Sequence, residues 1–313
     1  MLSRTADSLF WLSRYIERAE NLARILNVAQ RLSALPTAYA GSSNEWESAI
    51  NAAACSEGFY KTFDTPSRQN VIAYIVASEA NSSSIRNCIE IARTNARGVR
   101  TAMTTEMWEI INNAWHEVQR FKLKDIDPGQ LAKFLSVIQE ASLRFDGTAY
   151  RTMLRTDHFR FQRIGTFIER ADNIARLLDV KYHLLLPQNA NVGGGLDYFH
   201  WSAILRSVGA LTSYNWVYRD KVKPWLVADF LILRLEQPRS LISSYENINR
   251  QLDDLAEKYG RQGAAQRNAR SIYARLQNRN IDELFQSGLH EFLTDFMEEN
   301  DRLGQAVTEQ YLL

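Results

Sequence analysis

The sequence predicts an all-α fold, a multi-helix bundle built from two related, pseudo-twofold halves, on three observations. The stretch 16–28, IERAENLARILNV, recurs at 168–180 as IERADNIARLLDV, displaced by 152 positions with nine of thirteen residues identical. A self-match of that density marks a duplicated unit. No segment sustains the period-two alternation of a strand, and no Asn-Gly or Asp-Gly hairpin signal stands between β-branched runs. The six prolines, at 36, 66, 128, 187, 224 and 238, each fall where a helical pattern starts or stops, as expected of a residue that cannot donate inside a helix.

The elements follow in order. The first helix runs over 5–35 behind Thr5 or Asp7 as cap, and a polar loop, 36–45, ends it. A helix over 45–60 comes next, then one opening at Thr65-Pro66. The run Asn81-Ser-Ser-Ser caps a helix that stops near Gly98. Thr104 opens a helix toward Phe121, and Asp127-Pro128 opens another toward Phe145. The second motif helix begins near Thr156-Asp157 and ends by Pro187, where the glycine-rich stretch 188–196 follows. That stretch lacks the lysine and length of a phosphate-binding P-loop. Helices over 200–218, 224–235, 238–259, 263–276 and 282–311 complete the chain. A weaker echo, YIVASEANSSSI at 74–85 against FLILRLEQPRSL at 230–241, has a spacing of 156. The halves are therefore expected at about 1–150 and 151–313.

Placed on a helical wheel, the first copy separates into two arcs. Leu12, Tyr15, Ile16, Ala19, Leu22, Ala23 and Leu26 form the apolar one, and Arg14, Glu17, Arg18, Glu20, Asn21 and Arg24 the polar one. The second copy repeats this with Ile168, Ala171, Ile174, Ala175 and Leu178 against Arg163, Glu169, Arg170, Asp172, Asn173 and Arg176. A solvated charged face accounts for most such stripes. Such a face needs only to be polar, whereas here the cations are always arginine, whose planar fork meets carboxylates, phosphates or amides in fixed geometry. The second reading is that the two helices turn Glu17, Arg18, Asn21, Arg24, Glu169, Arg170, Asn173 and Arg176 toward each other or a shared cleft. That network is either structural or a ligand- or partner-binding site. Asn95, Arg97 and Arg100, beside Gly98, either complement a helix C-terminus or join those arginines as an anion-binding wall.

Other chemistry is weakly signalled. Lys+Arg 37 against Asp+Glu 36 leaves a net charge of +1, which argues against an electrostatic nucleic-acid binder. Cys55 and Cys88 form no CxxC pair or disulfide framework, as expected in a reducing cytoplasm. The first twenty residues do not resemble a signal peptide, and no apolar run is long enough for a bilayer. His116, His158, His183, His200 and His290 lack the spacing of a helical metal site, and Cys88 reads as a buried inert thiol. Neither a cofactor nor a metal is expected. Tryptophans 11, 108, 115, 201, 216 and 225 read as core anchors. His200-Trp201-Ser202 with Arg206-Ser207 could cap a cleft between the halves.

The opening MLSRTADSLFWLSRYIERAENLAR, the repeated Ile-Glu-Arg-Ala, the segment ARTNARGVRTAMTTEMWEIIN and the late ADFLILRLEQPRSL together resemble the bacterial alpha-E domain family. The resemblance covers essentially the whole chain, so 1–313 is expected to be one such domain. Ser82 departs from it, standing where a proline is expected in Asn-Pro-Ser-Ser. Members stand alone or are fused to circularly permuted ATP-grasp proteins, and their genes neighbour transglutaminase-like peptidases. The resemblance thus implies a helical accessory or scaffold protein that acts with an ATP-grasp ligase in peptide or amide-bond formation or peptide modification. An ATP-grasp partner and a peptide-like substrate follow from it, but no catalytic residue does. The alternatives are a stand-alone enzyme with an arginine-rich polar cleft and a purely structural helical protein.

Overall fold

The computed structural model describes residues 3–34, 45–122, 127–184 and 195–312, which form helices joined by turns, with no strand among them. Helix α1 (Ser3–Ser33) carries the first motif copy and is followed by the short α2 (Glu45–Ala52) and α3 (Ser56–Tyr60). Helices α4 (Arg68–Ala77) and α5 (Ile85–Gly98) start behind serine caps, Ser67 accepting from the Asn70 N–H and Ser84 from that of Asn87. After α6 (Thr105–Arg120), Asp127 caps α7 (Pro128–Thr152), whose first residue is a proline that has no N–H to satisfy. Helix α8 (Asp157–Leu184) carries the second copy. The rest comprises α9 (Gly195–Ser207), α10 (Leu211–Tyr218), α11 (Pro224–Ile232), α12 (Leu241–Tyr259), α13 (Ala264–Gln277), α14 (Ile281–Ser287) and α15 (Leu289–Val307).

The all-α class is as the sequence predicts, but three predicted helices are each broken in two. The breaks fall at Ala54, Gly209 and Gly288, whose φ values of 50°, 70° and 100° lie outside the right-handed helical range. The helix expected at Thr65-Pro66 opens instead behind Ser67, and the one expected to stop near Phe145 continues to Thr152. The loops expected at 36–45 and 188–196 lie, but for their last residues, outside the described residues, as does the side chain of His183.

Packing decides between the two readings of the polar arc. Helix α1 contributes to all three apolar clusters: Ala6 and Phe10 to one, Ala19, Leu22 and Leu26 to another, and Leu9, Leu12 and Ile16 to the third. It is therefore surrounded, and its polar arc is not solvated: Glu17 and Glu20 are only 4% and 2% exposed. Its most extensive partner is α8, and α5 and α7 also pack on it, while α12 and α15 pack on α8. The tryptophans divide. Trp201 is buried, but Trp216 and Trp225 are 73% and 43% exposed and anchor no core. No helix among the described residues is long and apolar enough to cross a membrane.

One glycine sets how closely α1 and α8 approach. A Cβ built on Gly165 would lie 2.3 Å from the backbone carbonyl oxygen of Phe10. The backbone of α1 occupies the space a side chain would need, so the helices meet without one between them. Gly165→Ala should lower unfolding stability by about 2 kcal/mol or more, the scale of overpacking against an immovable backbone. Gly147→Ala in α7, where a Cβ meets nothing within 4 Å, should instead raise it by about 0.5–1 kcal/mol through helix propensity. Urea denaturation of the two variants checks the opposite signs.

Candidate functional site

The close approach of α1 and α8 brings the two Glu-Arg dipeptides into register as a crossed pair. Arg170 donates from Nε and Nη2 to the two carboxylate oxygens of Glu17, both at 2.9 Å. Reciprocally, Arg18 donates to Glu169 at 2.5 and 3.0 Å. Each pair is a bidentate fork, the strongest arrangement open to these groups. Around them lie Arg14, donating to Glu169 at 2.8 Å, and Arg239, donating to Glu17 at 3.3 Å and Glu20 at 2.7 Å. Glu20 also accepts from Arg24 and from the Ser142 hydroxyl, each at 2.7 Å. Five guanidinium groups thus converge on three carboxylates. The ring faces of Trp11 and Tyr15 cover Arg14 and Arg18, and Phe167 covers Arg170.

Burial opposes these charges, and the pairing outweighs it. Desolvation pushes the Glu17 carboxyl up, but Arg170 and Arg239 hold it at about 2. The same opposition leaves Glu169 below its ordinary value, with Arg14 and Arg18 outweighing burial. Carboxyls held this firmly ionised make poor general acids. Asp172 differs: burial exceeds the pull of Arg176 and raises it. Cys88, buried beside Arg18, is pushed up to about 12 by burial. It stays a protonated, weakly nucleophilic thiol.

Of the residues that the sequence singles out, the network gathers Glu17, Arg18, Arg24, Glu169 and Arg170. Arg176 pairs with Asp172 one turn earlier on its own helix, at 2.7 Å. Asn173 is 8% exposed, and its Nδ2 has no hydrogen-bond partner among the described residues. Asn21 is half-buried and enters none of these bonds. Asn95, Arg97 and Arg100 are not drawn in: none of the network's bonds reaches them, and Arg100 lies over Trp108 at 4.8 Å. Sequence reasoning missed Ser142 and Arg239, which come from α7 and the turn before α12. For Arg239 a signal existed, since at the spacing of 156 it is the counterpart of Ser83. Ser83 accepts from Arg18 at 3.3 Å while Arg239 donates to Glu17, so the two counterparts touch opposite partners of the motif.

Where the network ends, a cleft of about 470 Å³ opens between the C-terminal part of α1 and α9. Arg24, Asn27, Val28, Arg31 and Leu32 line one side, Tyr198, Ser202, Ala203, Arg206 and Ser207 the other, with Gln139 of α7 between. Of the His200-Trp201-Ser202 and Arg206-Ser207 grouping expected to cap a cleft, Ser202, Arg206 and Ser207 line this one opposite the motif residue Arg24, whereas His200 is not in the lining and Trp201 is buried in the core. Arg24 is fixed by Glu20 and by the Ser207 carbonyl, the latter at 2.7 Å. A cleft of this size with a few convergent polar groups is suited to a small ligand.

Two outcomes follow from the network. Arg170→Ala, which leaves the buried Glu17 carboxylate only the 3.3 Å bond from Arg239, should cost about 3–5 kcal/mol, and Arg18→Ala should cost less because Arg14 still holds Glu169 at 2.8 Å. Chemical denaturation measures both. Glu17 has a folded value of about 2 against an ordinary 4.5, so its contribution is complete above the ordinary value and is lost as pH falls through the folded one. In Glu17→Gln the fall of stability between about pH 4.5 and pH 2 should be shallower by on the order of 3 kcal/mol. Unfolding curves across that range test it.

Uncharacterized proteins of Mycobacterium bovis and Mycobacterium tuberculosis are each 24% identical to the chain over 283 residues, covering 82% of it and 30% of the relative. A further uncharacterized protein of Mycobacterium tuberculosis is 23% identical over the same length. The chain thus spans about 30% of the length of the curated relatives it matches. No solved structure matches. The family model described as a predicted alpha-helical domain with a conserved ER motif matches residues 1–312. The crossed pairs Glu17–Arg170 and Glu169–Arg18 are this chain's two Glu-Arg dipeptides, and the chain belongs to the Alpha-E family.

Proposed function

We propose that this protein is a helical accessory domain that works with an ATP-grasp ligase in forming or modifying amide bonds in peptides. The observation that carries the reading is modular: the matched segment is only 30% of the mycobacterial relatives, so this unit operates there joined to a longer chain. The family resemblance supplies the nature of the partner. The free cysteines, Cys55 and Cys88, support a cytoplasmic site of action. Within this reading the buried Glu-Arg pairs clasp two duplicated halves about a pseudo-twofold axis. The reciprocal forks support that symmetry, as do the matching serine caps Ser84 and Ser240. Because Glu17, Arg18, Glu169 and Arg170 satisfy one another, the ligand- or partner-facing role falls to Arg24 and the cleft beyond it.

A native pull-down from the host, with partners identified by mass spectrometry, tests the partnership. An ATP-grasp protein should be retained through washing in stoichiometric amount. Recovery of the chain alone, or with proteins of unrelated chemistry, would remove the partnership.

A further inference from the structure

The cleft between α1 and α9 holds polar groups that the fold itself does not use. The Ser202 hydroxyl is buried, with its residue 7% exposed, and has no hydrogen-bond partner among the described residues; nor does Gln139 Nε2. Leaving such groups unpaired in the folded chain costs free energy that a ligand's hydrogen bonds would recover. On the rim, Arg31 and Arg206 are exposed and have no carboxylate partner among the described residues. None of the described residues lining the cleft is acidic. Behind it stands Arg24, bonded to Glu20 and to the Ser207 carbonyl. The described lining thus carries three guanidinium groups and no carboxylate, with an apolar wall formed by Val28, Leu32 and Ala203.

Net charge selects among anions. Helix α1 ends at Ser33 and α9 at Ser207, so the cleft lies beside two helix C-termini, the negative ends of their dipoles. That arrangement costs a dianion such as phosphate more than a singly charged carboxylate. A guanidinium fork accepts either anion, so the charge favours the carboxylate. Gln139 Nε2 and the Ser202 hydroxyl lie just beneath the cleft surface without partners among the described residues, and a side-chain rotation brings them to donate to a neighbouring carbonyl oxygen.

We propose that this cleft binds the C-terminal carboxylate and adjoining amide of a short peptide. Arg206 and Arg31 take the carboxylate, Gln139 and Ser202 take the last amide, and the apolar wall takes the side chain. The proposal is argued from the lining alone and does not depend on the ligase partnership.

The test uses the full chain and alanyl-alanine as probe, followed by saturation-transfer NMR with a titration for affinity. Binding should weaken about tenfold or more for Arg206→Ala and for alanyl-alanine amide, the scale of a lost charge-assisted hydrogen bond. Ser202→Ala should weaken it by a smaller factor. Arg206 is exposed, so its replacement should leave the thermal midpoint unchanged, which the same samples verify. Absence of alanyl-alanine binding would overturn the proposal, as would binding that is indifferent to Arg206→Ala. Inorganic phosphate binding more tightly than the dipeptide would overturn it in favour of a phosphate site. Because only the isolated chain is used, failure here leaves the pull-down result untouched, and the reverse holds as well.

Discussion

The structure depends on a constraint of burial: Glu17, Glu169 and Arg170 of the two Glu-Arg dipeptides are removed from water between α1 and α8, and Arg18 is largely so. Each such charge alone would cost several kcal/mol to bury. They are tolerated because every carboxylate meets a guanidinium fork edge to edge, with a second arginine and an aromatic ring face completing its surroundings. This geometry has little latitude. A slip of α8 along α1 by one residue would turn the forks away and leave charged groups unpaired. Gly165, pressed on the backbone of Phe10, fixes the separation at which the forks close. Apolar packing supplies the bulk of the stability, while the ionic pairs specify which register of the two helices is allowed.

From this centre the remaining helices acquire their places. Helices α5 and α7 flank α1, and α12 and α15 flank α8, covering the sides of the pair that the partner helix does not. The turns that begin α5 and α12 do more than cap. Ser83 and Arg239, one residue before each serine cap, reach into the network from the two flanks. At the other end the network opens onto the cleft through Arg24, which bonds a buried carboxylate and the α9 backbone together. An interaction that holds the fold together thus also shapes the electrostatics of a polar recess, linking stability to the candidate binding surface.

The helical class, most helix starts and the importance of the Glu-Arg dipeptides are legible in the sequence because they are local or repeated properties. Caps, prolines and apolar period act within a few residues, and a duplicated thirteen-residue segment declares itself without any knowledge of contacts. The helix breaks at Ala54, Gly209 and Gly288 are not legible. Ala54 has high helix propensity, and an isolated glycine is tolerated within a helical pattern. The choice between a solvated face and one turned to a partner helix stays open in the sequence for a related reason. The hydrophobic pattern distinguishes polar from apolar sides, but it cannot tell water from a partner helix with complementary charges.

By itself the sequence determined the all-α class and most helix starts, that one helical segment is duplicated, and that arginine rather than lysine stands on its polar side. These follow from backbone sterics, side-chain periodicity and the distinct chemistry of the guanidinium group. Only the tertiary structure decided that Glu17 answers Arg170 and Glu169 answers Arg18, that Arg239 and Ser142 join them, and that Asn95, Arg97 and Arg100 do not. It also decided that Ser202, Gln139 and Arg24 line one cleft. The physical reason is distance along the chain. Residues about 150 positions apart meet only when the packing of whole helices brings them together, and no local propensity encodes that meeting.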